Sequence, residues 1–148
     1  MIDKVVPENL VTILMVEDDE LDVEVFKRTL KKEHILNPFY NVTDGEEALS
    51  VLRGQHPDIQ ISKPYLLVMD INMPRMNGIE CLSEIRQDPE LKDTVVFFMT
   101  TSEDEQDMYE AYNLNVAGYM VKSNLGENFL KSVRMLDQYF HAIVLPDA

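Results

Sequence analysis

The chain has 148 residues, enough for one compact domain with its own core and short for two. With 45% hydrophobic and 27% charged residues it has the makeup of a globular protein, and no apolar run approaches the roughly 18 residues of a membrane span. A formal net charge of −14 argues against a DNA-binding surface, whose affinity comes largely from Lys and Arg, and the single cysteine, Cys81, excludes an intramolecular disulfide and an all-cysteine metal cage.

Met1 to Leu10 contains Asp3, Lys4 and Glu8 and no continuous apolar stretch, so it does not read as a secretion signal, and a cytoplasmic location is expected. Thr12 to Val16 follows as a short apolar run suited to a strand buried on both faces, stopping at Glu17-Asp18-Asp19. Val23, Phe26 and Leu30 then recur at helical spacing until Asn37-Pro38. Phe39 to Thr43 reads as a second strand, Asp44-Gly45 as a turn, and Glu46 to Arg53 as a short helix. Gly54 to Pro64 is the longest connection. A third strand, Tyr65 to Met69, ends at Asp70, and beyond Met73-Pro74 and Asn77-Gly78 a helix places Ile79, Leu82 and Ile85 on one stripe. Thr94 to Met99 is the fourth strand, Glu103 to Leu114 a helix, Ala117 to Val121 the fifth strand and Asn128 to Ala142 the last helix.

Alternation of this kind predicts an α/β fold: a doubly wound, flavodoxin-like five-stranded parallel sheet in a three-layer sandwich, because parallel strands need helical crossovers. Ligands in such sheets bind outside the carboxyl ends of the strands. The first strand delivers Glu17 and Asp18 to that edge, the third Asp70, the fourth Thr100 and Thr101, and the fifth Lys122. Carboxylates at about 4 Å repel by roughly 4 kcal/mol at an effective dielectric near 20, so clustering Glu17, Asp18 and Asp70 needs a cation. Mg²⁺ suits an all-oxygen donor set, and no His or Cys falls at this edge to favour zinc.

Val16-Glu17-Asp18-Asp19, Asp70-Ile71-Asn72-Met73-Pro74, Thr100-Thr101-Ser102 and Gly118-Tyr119-Met120-Val121-Lys122 resemble the motifs of response regulator receiver domains of two-component systems. The resemblance runs from about Thr12 to Phe140 and implies a receiver over residues 10–142, a tail over 143–148 and no effector domain. It implies that Asp70 accepts a phosphoryl group from the phosphohistidine of a sensor histidine kinase. It further implies Mg²⁺ or Mn²⁺ held directly by Asp18, through water by Glu17, and by Asp70 and the backbone carbonyl of Asn72, with Lys122 and Thr100 contacting phosphoryl oxygens. Asp19 suits a helix cap better than a ligand. Thr100 and Tyr119 match the switch positions, with the surface of the fourth helix, fifth strand and fifth helix as readout. The alternative reading of Tyr119 is a half-buried strand residue with no switch role.

Receivers usually follow the active-site lysine with proline, whereas this chain has Lys122-Ser123, expected trans because a non-proline cis bond costs roughly 2.5–4 kcal/mol. That departure, the long connection before the third strand and the ending Asp137 to Pro146 resemble stand-alone regulators paired with bacterial phytochrome kinases. On the last helix Phe129, Val133, Leu136 and Phe140 form a stripe, with Leu130, Met135 and Tyr139 off it. That surplus suggests a homodimer, or a tail folded back over its own domain. His34, His56 and His141 do not read as catalytic, Asn41-Val42-Thr43 reads as a silent glycosylation motif, and Cys81 as a core residue. A receiver-shaped module that never uses phosphate and an aspartyl phosphatase are the competing classes. The first has no reason to keep all five site residues, and the second lacks an acid at position 72, which is Asn.

Overall fold

The computed structural model describes residues 10–122, 127–142 and 144–145. The Lys122-Ser123 peptide, the Phe129 side chain and the segment before Leu10 lie outside them. The strands are β1 (Thr12–Val16), β2 (Phe39–Val42), β3 (Tyr65–Met69), β4 (Val95–Thr100) and β5 (Gly118–Val121). The helices between and after them are α1 (Glu20–Lys32), α2 (Gly45–Leu52), α3 (Gly78–Gln87), α4 (Glu105–Asn113) and α5 (Glu127–Ala142). All pairings are parallel, in the order β2-β1-β3-β4-β5. The predicted doubly wound sheet is therefore the observed one.

Strand periodicity divides the core in two. Leu14, Val16, Leu67, Met69, Val96 and Phe98 point to one face and meet Ala48, Leu49, Cys81, Leu82, Ile85 and Ala111 of α2, α3 and α4. Their chain neighbours Ile13, Met15, Leu66, Val68, Phe97 and Met99 point to the other and meet Phe26 and Leu30 of α1 with Val133 and Leu136 of α5. Because β1 and β3 are covered on both faces, each is apolar without interruption.

Helix starts follow side-chain caps. Asp19 accepts the Leu21 and Asp22 amides ahead of α1, the capping role expected of it. Asn77 and Glu80 form a reciprocal capping box at α3. Asp104 accepts the Gln106 amide, so α4 begins at Glu105 and not at Glu103. Asp44 is more than a turn residue: it is buried, accepts the Glu47 amide as the cap of α2 and pairs with Arg75 in the loop after β3.

The end of the chain resolves part of the surplus on α5. Tyr139, off the apolar stripe by spacing, packs edge-on against Phe97 with ring centroids 5.1 Å apart, and Leu145 is buried with the α1/α5 cluster. That segment of the tail does fold back, while Met135 and Val144 stay exposed.

Candidate functional site: an acidic pocket at the carboxyl edge of the sheet

The chain leaves β1 toward β2 on one side and reaches β3 on the other, so a crevice opens at the carboxyl ends of β1 and β3. Glu17, Asp18 and Asp70 are the first residues beyond those strands, and one carboxylate oxygen from each lies within 4.8 Å of the others. Glu17 and Asp70 are buried and Asp18 is exposed, which leaves the cluster open on one side. Among the described residues this is the one group of potential metal ligands, and it contains neither His nor Cys.

Each carboxylate is fixed by its surroundings. Asp70 Oδ1 accepts the Ile71 amide at 2.7 Å, leaving Oδ2 to face Lys122 Nζ at 3.5 Å. Glu17 Oε2 accepts the Asp19 amide at 3.1 Å, and its other oxygen accepts from Lys122. The Asn41 side-chain amide donates to the carbonyls of Met15 and Glu17 at 3.0 and 3.1 Å and ties β2 to the end of β1. The sequon reading of Asn41 therefore missed its work as a brace for the loop that presents Glu17. The second strand, which sequence reasoning left out of the site, contributes through it.

Lys122 follows β5, and its own amide donates to the Thr100 carbonyl at 2.7 Å. Its side chain is 6% exposed and its ammonium reaches a carboxylate absent from the sequence-based set, Asp22, at 2.7 Å. Burial alone would depress the Lys122 pKa, but the bonds from Asp22 and Glu17 and the charge of Asp70 hold it above the usual lysine value. Those partners favour its charged form. Glu17 moves the opposite way for a carboxylate, pushed up to about 7 chiefly by burial, with the Asp70 charge adding and the Lys122 bond opposing.

Thr100 is fully buried, and its hydroxyl oxygen accepts the Ser102 amide at 3.2 Å. The Tyr119 hydroxyl donates to the Ser102 carbonyl at 2.9 Å while its ring meets Phe98 edge-on at 6.1 Å. Thr100 and Tyr119 thus converge on one residue of the loop after β4. Ser102 in turn donates its hydroxyl to Asp107 of α4 at 2.7 Å. Asn72 stands exposed on the loop just beyond Asp70.

With the geometry in place, the sequence model of the response regulator receiver domain matches residues 13–134. The chain belongs to that family. It is 33% identical to the response regulator Rcp1 of Synechocystis over 137 residues, which cover 92% of this chain and 93% of Rcp1. The phosphorylated cyanobacterial phytochrome response regulator RcpA superposes with a TM-score of 0.82 at 31% identity, covering 92% of this chain and 98% of its own. The Mn²⁺-bound form of Rcp1 superposes at 0.79 with 31% identity over 92% and 99%. As a receiver, the chain is a component of two-component phosphorelay signalling, in a family of phospho-acceptor regulators. No helix among its described residues is long and apolar enough to cross a membrane.

Receivers bind Mg²⁺ or Mn²⁺, and the donor set here fits a hard cation: carboxylate oxygens alone, close together and open on one side. One ammonium faces Glu17, Asp22 and Asp70, so negative charge remains in excess.

A stability test follows. A carboxyl group whose folded pKa lies above its unfolded value binds more protons folded than unfolded between the two. Rising pH therefore removes stability through the window from about 4.5, the unfolded value, to about 7. Thermal unfolding in a chelator is expected to shift to lower temperature as pH rises from 5 to 8, and saturating Mg²⁺ is expected to abolish that slope. A melting temperature that rises across the window in chelator would contradict the assigned direction.

Proposed function

We propose that Asp70 accepts a phosphoryl group from the phosphohistidine of a sensor histidine kinase, in a reaction that requires Mg²⁺ or Mn²⁺. The supporting observation is the pairing of Asp70 Oδ2 with Lys122 at 3.5 Å inside a carboxylate cluster spanning 4.8 Å. An oxygen of Asp70 attacks phosphorus, the nitrogen–phosphorus bond of the donor breaks, and the imidazole leaves. Glu17, Asp18, Asp70 and the Asn72 carbonyl would hold the divalent ion, which would supply positive charge against the phosphoryl oxygens. Lys122 neutralises a further oxygen, and Thr100 turns its hydroxyl from Ser102 toward the new group.

That turn gives the phosphate its readout. Phosphorylation adds about −1.5 to −2 charges, enough to bias a two-state element. Because Thr100 and Tyr119 both bond Ser102, a Thr100 rotamer change withdraws one of the two contacts on that loop. The receiving surface is then α4, β5 and α5, where Tyr109 and Tyr112 of α4 are exposed.

The donor we propose is a phytochrome-type kinase in the cytoplasm, on the likeness to RcpA and Rcp1. We propose a receiver over residues 10–142 followed by a tail over 143–148, in keeping with the match to Rcp1 over 92% of this chain. Met135 and Val144, exposed beside the buried Leu136 and Leu145, support self-association through α5 and the tail. Light scattering with and without phosphorylation is expected to give twice the monomer mass in at least one state. A monomer mass in both excludes it.

The phosphoryl reading is tested by incubation with a small-molecule phosphodonor, with Mg²⁺ or with chelator, followed by intact mass and peptide mapping. One phosphoryl group is expected on the peptide containing Asp70, only with metal. Labelling that ignores the metal, or maps elsewhere, contradicts the mechanism.

A further inference from the structure

Asp22 sits in the first turn of α1, where an acidic side chain ordinarily needs no account beyond the positive end of the helix. Here it points inward and is 7% exposed. Its Oδ2 accepts from the Lys122 ammonium at 2.7 Å, from a residue 100 positions away. Asp22 is not among the carboxylates whose oxygens cluster within 4.8 Å. Lys122 therefore has partners of two kinds: Glu17 and Asp70, which belong to that cluster, and Asp22, which does not.

A divalent cation drawn to Glu17 and Asp70 competes with Lys122 for the same two carboxylates, and the two cations also repel each other. A buried ammonium stripped of its carboxylates is strongly unfavourable, so without another partner metal and lysine would exclude one another. Phosphoryl transfer as read above needs both at once. We infer that Asp22 is a positioning residue that anchors the Lys122 ammonium when metal takes up Glu17 and Asp70, so that the site holds both cations together. This rests on the metal site assigned to Glu17, Asp18 and Asp70. It makes the acidic pocket two overlapping sites, one for metal and one for lysine, with Asp22 belonging to the lysine alone.

The test uses the intact chain and reads Mn²⁺ affinity by calorimetry, without a phosphodonor. Removing a residue that orients others at a metal site typically weakens affinity by 10- to 100-fold, and Asp22→Asn is expected to weaken Mn²⁺ binding about tenfold. Asp22→Glu is expected to recover most of that loss. Lys122→Gln, which removes the competing cation, is expected to bind Mn²⁺ more tightly than wild type, and adding Asp22→Asn to it is expected to change affinity by less than about twofold. An undiminished loss in the Lys122→Gln background would show Asp22 acting on the ion directly and overturn the inference, as would an unchanged affinity of Asp22→Asn. Wild type that binds Mn²⁺ while losing the slowly exchanging ¹⁵N resonance of the Lys122 ammonium would also overturn it, a result that does not depend on any variant folding. Wild type that binds no Mn²⁺ would overturn the metal site itself.

Discussion

Asp70→Asn is expected to abolish phosphoryl labelling and, in chelator near pH 8, to make the protein more stable than wild type. The loss follows from the nucleophile: an amide oxygen is too weak a base and too poor an attacking group to form the acyl phosphate. The gain follows from charge. Asp70 lies within 4.8 Å of the Glu17 and Asp18 carboxylates and 3.5 Å from the Lys122 ammonium. At an effective dielectric near 20, like charges 4.8 Å apart repel by about 3.5 kcal/mol and opposite charges 3.5 Å apart attract by about 5 kcal/mol. Repulsion from two neighbours outweighs one attraction, and solvent at exposed Asp18 trims the difference. The asparagine oxygen can still accept the Ile71 amide, so the local geometry survives. A gain of about 1–2 kcal/mol in chemical denaturation is expected without metal. With saturating Mg²⁺ the order should reverse, because wild type gains more from the ion. A mutant less stable than wild type in chelator would show that Asp70 serves the fold as well as the chemistry. Retained labelling would show that it is not the acceptor.

The fold was legible because buried parallel strands leave a simple trace, unbroken apolar runs such as Thr12 to Val16 and Tyr65 to Met69, each followed by acid. The edge rule then gathered Glu17, Asp18, Asp70, Thr100, Thr101 and Lys122, since a strand's last residue fixes which end its successor occupies, and the resemblance to receivers set Thr100 apart from Thr101. What stayed hidden was whatever depends on contacts distant in sequence. Asp22 looks like an ordinary first-turn helix acid, and only the return of β5 beside β4 brings Lys122 to it. Asn41 looks like an exposed polar residue of an edge strand until its amide is seen on the carbonyls of Met15 and Glu17. The one signal in the sequence was a polar side chain in the middle of a strand, where β1 has only apolar residues from Ile13 to Val16. Tyr139 was miscounted as surplus because spacing along α5 says nothing of Phe97 on β4 lying beneath it. The start of α4 falls two residues later than the spacing predicts for a local reason, because Asp104 caps the helix and does not enter it.

Gly78→Ala is expected to reduce phosphorylation about 100-fold while the chain still folds, because the residue lets the start of α3 touch the backbone that carries Asp70. A β-carbon built at position 78 would clash with the Asp70 carbonyl oxygen and lie 2.9 Å from both the Ile71 α-carbon and the Phe98 ring. Two of those three neighbours are backbone and cannot turn aside as a flexible side chain would. The Gly78 amide donates to the Ile71 carbonyl at 2.8 Å, so helix and loop are also tied and cannot simply separate. The methyl group must therefore move the Asp70–Ile71 segment, and displacement of a reacting group by about 1 Å can cost on the order of 100-fold in rate. Overpacking of this kind typically costs 1–3 kcal/mol of stability, so a loss of about 2 kcal/mol is expected beside the kinetic defect. Gly54→Ala is the control. It has a positive φ of 71° but nothing within 4 Å of the added carbon, so it is expected to cost about 1 kcal/mol through backbone strain and leave phosphorylation unchanged. Rates measured with a small-molecule phosphodonor at saturating Mg²⁺, with stability from urea unfolding, separate the two. If Gly78→Ala loses stability but phosphorylates at the wild-type rate, the close approach of α3 serves packing alone. A rate defect confined to Gly78→Ala would show that the helix start sets the position of the nucleophile.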